Sequence, residues 1–161
     1  GYTQAELEHY FSDRIDSLAQ RYQKDRREML ALIAHWYNGY SWDGVNKVYV
    51  PFSTLVFLEQ QTFANHWFST ATPSFLIKLL RKWQIPAYEL EELSADTQLL
   101  DSIGVNDINL YSLLFQTGYL TIKKTWLGRM GQTYELGCPN HETEQTIEQH
   151  LLADYLEPAL S

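Results

Sequence analysis

The sequence predicts a mainly α protein with a small β-hairpin, in which a helical bundle is followed by a winged-helix-like unit. Three observations point there. Apolar residues recur three and four positions apart along most of the chain up to Trp83, an alternating run follows Gly118, and Gly128 with Gly131 turns that run back on itself.

The elements follow in order. Thr3 with Glu6 forms a capping-box pattern, and Leu7, Tyr10, Phe11, Ile15 and Leu18 then recur at helical spacing, so one helix is expected almost from the first residue. So abrupt a start leads us to expect that the chain is a portion of something longer. A second helix runs from about Asp25 through Met29, Leu30, Ile33 and Trp36, with Gly39 as its left-handed close, and should form a hairpin with the first. Asp43-Gly44 marks a turn within Ser41 to Asn46, and Lys47 to Val50 reads as an extended run. Pro51 suits the first position of a third helix, expected to turn Phe52, Leu55, Val56 and Leu58 inward. A fourth begins at Thr72-Pro73 with Leu76, Leu79, Leu80 and Trp83 as its stripe. These four make residues 1–83 a helical subdomain. Gln84-Ile85-Pro86 breaks the pattern, and the acidic, turn-rich stretch 84–106 is expected to be a connecting segment. Residues 107–157 then form the winged-helix-like subdomain. It comprises a helix over Leu110, Leu113, Leu114 and Thr117 closed by Gly118, a strand from Tyr119, and a returning strand from Gln132 to Leu136. A last helix opens at Pro139-Asn140, with Ile147, Leu151, Leu152, Tyr155 and Leu156 inward.

Composition limits the function. With 161 residues, 45% of them hydrophobic, the chain can build one core or two small ones. Its five Trp, eleven Tyr and seven Phe bury too much apolar area for a disordered chain. A net charge of -8 argues against whole-surface attraction to phosphate backbones or anionic lipid. Cys138, the only cysteine, excludes an internal disulfide and a multi-thiolate metal site, and is expected to be a small buried apolar side chain in a reducing compartment. No apolar run approaches the ~20 residues that span a bilayer, and a cytoplasmic location without membrane attachment is expected.

No catalytic set assembles on paper. His9, His35, His66, His141 and His150 lack metal-pair spacing, so no metal is assigned, and His35 and His66 beside tryptophans read as structural. Glu91-Glu92 and Glu142 with Glu144 sit in acidic runs and read as a solvated face with nothing to raise a pKa. The phosphate-cradling GxxxxGK[ST] and GxGxxG patterns are absent, so the chain should neither bind ATP by itself nor act as an enzyme. Between Tyr119 and Tyr134, Lys123, Lys124 and Arg129 occur with no acid, which makes the expected wing locally basic and a candidate nucleic-acid contact. Trp126-Leu127 at the same tip is a candidate partner anchor.

Several longer strings carry more than periodicity. They are His35-Trp36-Tyr37-Asn38-Gly39-Tyr40, Val48-Tyr49-Val50-Pro51-Phe52-Ser53, His66-Trp67-Phe68 with Thr72-Pro73-Ser74-Phe75, and Leu113 to Ile122 with Gln116, Gly118 and Tyr119. Together with Cys138-Pro139-Asn140-His141-Glu142, in this order and spacing, they resemble the bacterial AAA-ATPase-like family. The resemblance covers nearly the whole chain, and only the region after that family's P-loop ATPase core. It implies a helical lid and winged-helix-like region, with ATP and magnesium bound by an ATPase core that lies elsewhere, and often a PD-(D/E)XK nuclease-like domain beyond. The core and that domain are the implied partners. On the same resemblance, Lys78 or Arg81 on the lid helix is the nearest candidate to reach a nucleotide, and the Trp, Tyr, Gly, Pro and Asn residues of the strings are expected to fix packing and turns. Val50 stands where the family pattern usually has Asn, so the helix that starts at Pro51 loses a capping side chain. The favoured function is a non-catalytic lid-like region coupling nucleotide state to a neighbouring domain. A nucleic-acid-binding winged helix and a protein-interaction module are the alternatives.

Overall fold

The computed structural model describes residues 1–67, 74–93, 98–100, 110–129 and 131–157. The chain is mainly α with a β-hairpin, as expected. Helices α1 (Gln4–Tyr10), α2 (Ser12–Arg21), α3 (Arg26–Tyr37) and α4 (Pro51–Gln60) come first, then α5 (Ser74–Lys82) and α6 (Ala87–Leu93). Strand β1 (Gln98–Leu100), helix α7 (Leu110–Gln116) and the hairpin of β2 (Thr121–Gly128) and β3 (Gly131–Gly137) follow. The described chain ends in α8 (His141–Thr146), a π-helical turn (Ile147–Leu151) and α9 (Leu152–Leu156). The Thr72-Pro73 start assigned to the fourth helix lies outside the described residues.

The capping box at Thr3 forms as the sequence predicts, with Thr3 Oγ1 accepting from the Glu6 amide and Glu6 Oε1 from the Thr3 amide, both at 3.1 Å. The single first helix does not. Phe11 leaves helical geometry at φ -121°, ψ 24°, and its ring packs edge-on against Tyr2 at 5.7 Å, so the chain bends into α1 and α2. Arg26 then ties α3 to α2 through Asp16 at 2.5 Å. Pro51 opens α4 without any side-chain cap, because Val50 has none to offer. The inward face of α4 is Ser53, Thr54, Phe57 and Leu58, whereas Phe52 is 52% and Leu55 43% exposed, contrary to the inward stripe expected. Phe57 and Leu58 face the first core and Ser53 reaches Glu142, while Thr54 returns its hydroxyl to the Val50 carbonyl one turn back.

Two hydrophobic clusters form. One gathers Leu7, Ile15, Leu18, Met29, Ile33 and Phe57 from α1 to α4. The other gathers Leu76, Leu80, Leu90, Leu114, Leu136 and Ile147 from α5 onward. A fully buried Leu or Ile in either contributes about 1.5–3 kcal/mol. By core membership α5, the fourth helix of the bundle expected over residues 1–83, belongs with the later elements, while α1 to α4 share the first core, so the change of core precedes Ser74 instead of falling at Gln84. Gln84, at φ 53°, supplies the left-handed residue that closes α5.

The stretch expected to connect the halves contains α6 and β1. β1 pairs antiparallel with β3 (Gln98↔Leu136 to Leu100↔Tyr134), giving the sheet order β1-β3-β2. The Lys47 to Val50 run finds its partners elsewhere, in the bridges Tyr40↔Val48 and Tyr2↔Tyr49. In the last helix Ile147 and Leu151 are buried as expected, while Leu156 is 58% exposed. Among the described residues no helix is long and apolar enough to cross a membrane.

Candidate functional site at the junction of the two cores

The segments that carry the sequence strings meet where the two cores abut, and polar groups make the join. Thr121 Oγ1 accepts from the Ser41 amide at 2.8 Å and donates to the Ser41 carbonyl at 2.9 Å. Asn140 caps α8 by accepting from the Thr143 amide at 3.0 Å, while its Nδ2 donates to the Asn38 carbonyl at 2.9 Å. The Tyr40 hydroxyl lies 3.3 Å from Thr143 Oγ1 and 3.4 Å from the Gly118 carbonyl. Backbones approach closely here. Gly39 sits at φ +103°, and a Cβ on it would lie 2.1 Å from the Pro139 carbonyl oxygen. The Ser41 to Asn46 turn packs on β2 in the same way, since a Cβ on Gly44 would lie 2.6 Å from the Lys123 carbonyl oxygen.

At the centre is Glu142, read from sequence as part of a solvated acidic face and in fact fully buried. Its Oε2 accepts from Ser53 Oγ at 2.6 Å and from the Trp67 amide at 3.1 Å. Its Oε1 is buried with no hydrogen-bond partner among the described residues. Burial pushes the carboxyl up to about 7, against the lowering effect of the Ser53, Trp67 and His66 hydrogen bonds. Glu142 lies one turn before Thr146, on the face of α8 turned toward α4 and the 62–67 segment, where Thr143 and Thr146 are also buried. Tyr37 secures that segment, donating to the Ala64 carbonyl at 2.8 Å and accepting from its amide at 3.1 Å.

Two clefts flank the join. An apolar cleft of about 350 Å³ is bordered by Tyr40, Trp42, Pro51, Trp67, Phe115 and Gln116. Trp42 is 81% exposed beside it, with its ring edge-on to Phe115 at 6.1 Å. A polar cleft of about 320 Å³ on another side is bordered by His35, Lys47, Lys123, His141 and Glu144. Burial pushes the Cys138 thiol in its wall up to about 12, so it remains protonated and acts as the small buried side chain expected. Among the described residues no three His, Cys, Asp or Glu side chains are arranged to hold a metal.

The structure distributes the other sequence candidates unequally. Trp36, Tyr37, Gly39, Tyr40, Pro51, Trp67, Gly118, Pro139 and Asn140 lie in or beside the join, and Gln116 borders the apolar cleft. Tyr119 is buried in the second core, Phe52 is exposed, and Pro73 lies outside the described residues. Lys78 is exposed on α5, whereas Arg81 Nη2 donates to the carbonyls of Asp154, Tyr155 and Glu157 at 3.0, 3.3 and 2.7 Å, closing the end of α9. The basic wing is divided. A bulge between Ile122 and Lys124 leaves Lys123 out of register and half-buried at the polar cleft. Lys124 sits over the Trp126 ring at 5.4 Å, and Arg129 is exposed at the turn. Leu127, 80% exposed, and Trp126, 38% exposed, stand at the hairpin tip.

Ser41, Ser53, Thr121, Thr143 and Glu142 were missed as site residues. Glu142 ends one of the quoted strings, but helical spacing back from Ile147 reaches Thr143 and Glu144 instead, and the π-helical turn Ile147–Leu151 shifts the phase between α8 and the later stripe.

The chain is 37% identical over 160 residues to an uncharacterised protein in the vnfD 5′ region of Azotobacter chroococcum mcd 1. The match takes in 99% of this chain and 29% of that protein, so the chain spans less than a third of its relative's length. No family model matches the sequence, and no solved structure matches it.

Proposed function

We propose that this chain is the non-catalytic, lid-like and winged-helix-like region of an AAA-type ATPase, coupling the nucleotide state of a P-loop core to a neighbouring domain. One observation carries the reading. The strings that resemble the AAA-ATPase-like family are up to about a hundred positions apart, as in the Asn38 to Asn140 contact, yet they converge on a single polar join around Glu142. A join of that kind makes the two cores respond together, which a coupling region needs. The much longer relative is consistent with further domains on which such a region would act. Trp42, exposed at the apolar cleft, supplies the face for the ATPase core, and Lys78, exposed on α5, is the candidate to reach toward nucleotide.

The nucleic-acid alternative is supported by the sheet order β1-β3-β2 with α7 ahead of the hairpin, and opposed by the residues. α7, where a reading helix would stand, is Leu-Tyr-Ser-Leu-Leu-Phe-Gln without a basic side chain, and its Leu110, Ser112 and Leu114 are buried. The wing's three cations do not form one surface. A protein contact through Trp126 and Leu127 fits the coupling role equally well.

The experiment is ATP hydrolysis by the isolated chain. No phosphate release above buffer is expected with Mg-ATP, and turnover by residues 1–161 alone would defeat the proposal.

A further inference from the structure

The polar cleft gathers segments distant in sequence: the end of α3 with His35 and Asn38, the approach to the Tyr40↔Val48 bridge at Lys47, the β2 bulge at Lys123, and His141 with Glu144 on α8. Its charge runs against that of the chain, which is -8 overall. Two ammonium groups border it, and among the described residues neither has a carboxylate within ion-pair distance. Lys123 is half-buried; burial and then the neighbouring charge of Lys47 lower its pKa, outweighing the opposing influence of Glu144 and Glu135. Like charges on a partly desolvated wall repel until an anion enters between them. Glu144, the carboxylate on the cleft's border, is turned to His141 Nδ1 at 3.5 Å, and the His141 ring stacks on His35 at 5.1 Å. The Asn38 side-chain oxygen is buried with no hydrogen-bond partner, so that amide, turned over, has an NH2 to offer at the same wall.

We propose that this cleft binds a phosphate dianion, free or as the terminal group of a small phosphomonoester, held between Lys47 and Lys123 with His35, His141 and Asn38 as further donors. A tetrahedral dianion presents three or more oxygens and two charges, which suits two cations and several neutral donors converging from different walls; a monocarboxylate would leave donors unused. The volume of about 320 Å³ fits a small molecule and not a polymer backbone. The assignment stands apart from the lid reading, since it concerns residues of this chain alone.

The test is an NMR titration of the histidine ring signals of the 161-residue chain with inorganic phosphate, and separately with glycerol 3-phosphate, against chloride at matched ionic strength. Saturable shifts of His35 and His141, with His9 unmoved, are expected for phosphate chemistry, and the tighter of the two probes identifies its source. Lys47→Gln and Lys123→Gln should each weaken binding about tenfold. Lys47 is exposed, so its variant tests the site even if Lys123→Gln impairs folding. Shifts that merely follow chloride, or an affinity unchanged in Lys47→Gln, would refute the proposal. So would a short DNA duplex that moves these signals at lower concentration than phosphate does.

Discussion

Replacing Glu142 with Gln exchanges a buried ionisable group for a neutral one of nearly the same shape. In the folded chain the carboxyl titrates near 7, against an ordinary value of 4.5. Between those two pH values the folded chain holds a proton that the unfolded chain has released, so the wild-type stability falls as pH rises through this window. The loss sums to about 3 kcal/mol by pH 8 and is absent below about pH 4.5. Gln keeps an oxygen to accept from Ser53 and the Trp67 amide and has no proton to lose. The variant should therefore be close to wild type at pH 4.5 and more stable than wild type at pH 8 by about 3 kcal/mol. Every other carboxylate is common to both chains and cancels in the difference. Urea unfolding followed by tryptophan fluorescence at several pH values measures it directly. A stability difference independent of pH, or a Glu142 carboxyl that titrates near 4.5 by carbon NMR, would show that burial does not govern this group.

Two further outcomes follow from the same join and its neighbouring strand. Gly39→Ala should lower stability by about 3 kcal/mol or more, because the position is left-handed and the new methyl meets the Pro139 carbonyl; a thermal midpoint equal to wild type would mean that the two backbones can part freely. Fluorescence anisotropy with labelled duplex DNA at about 0.15 M salt should show no binding by the isolated chain, since Lys123, Lys124 and Arg129 point to different surroundings. A submicromolar isotherm with a log-log salt slope of roughly -2.7 would instead show all three on phosphates.

Local signals in the sequence were legible where one short segment satisfies itself. The Thr3 and Glu6 box, Pro51 at a helix start, Asn140 as a cap and the turn at Gly128 to Gly131 each depend on neighbours within a few residues. What stayed hidden depends on partners far along the chain. Ser53 and Glu142, 89 positions apart, join on the buried face of α4 that also carries Phe57 and Leu58, and Phe52 and Leu55 turn outward despite their apolar character. The bulge at Lys123 breaks the two-residue alternation, and with it the expectation that Lys123 and Lys124 share a basic surface with Arg129. The strings quoted for the family resemblance did locate most of the join, but their small and aromatic residues pointed to packing, and the carboxyl at the end of the last string passed as solvated.

In the proposed function the polar join lets this chain act on an ATPase core as one body. Thr121→Val tests it most directly, because Val matches Thr in shape and removes both hydrogen bonds to Ser41. The measurement is steady-state ATP turnover by a polypeptide of the relative's length that includes this chain, compared with the same polypeptide lacking residues 1–161. Thr121→Val is expected to move turnover by about threefold or more toward the value of the deletion. Wild type, Thr121→Val and the deletion all turning over ATP at one rate would contradict it.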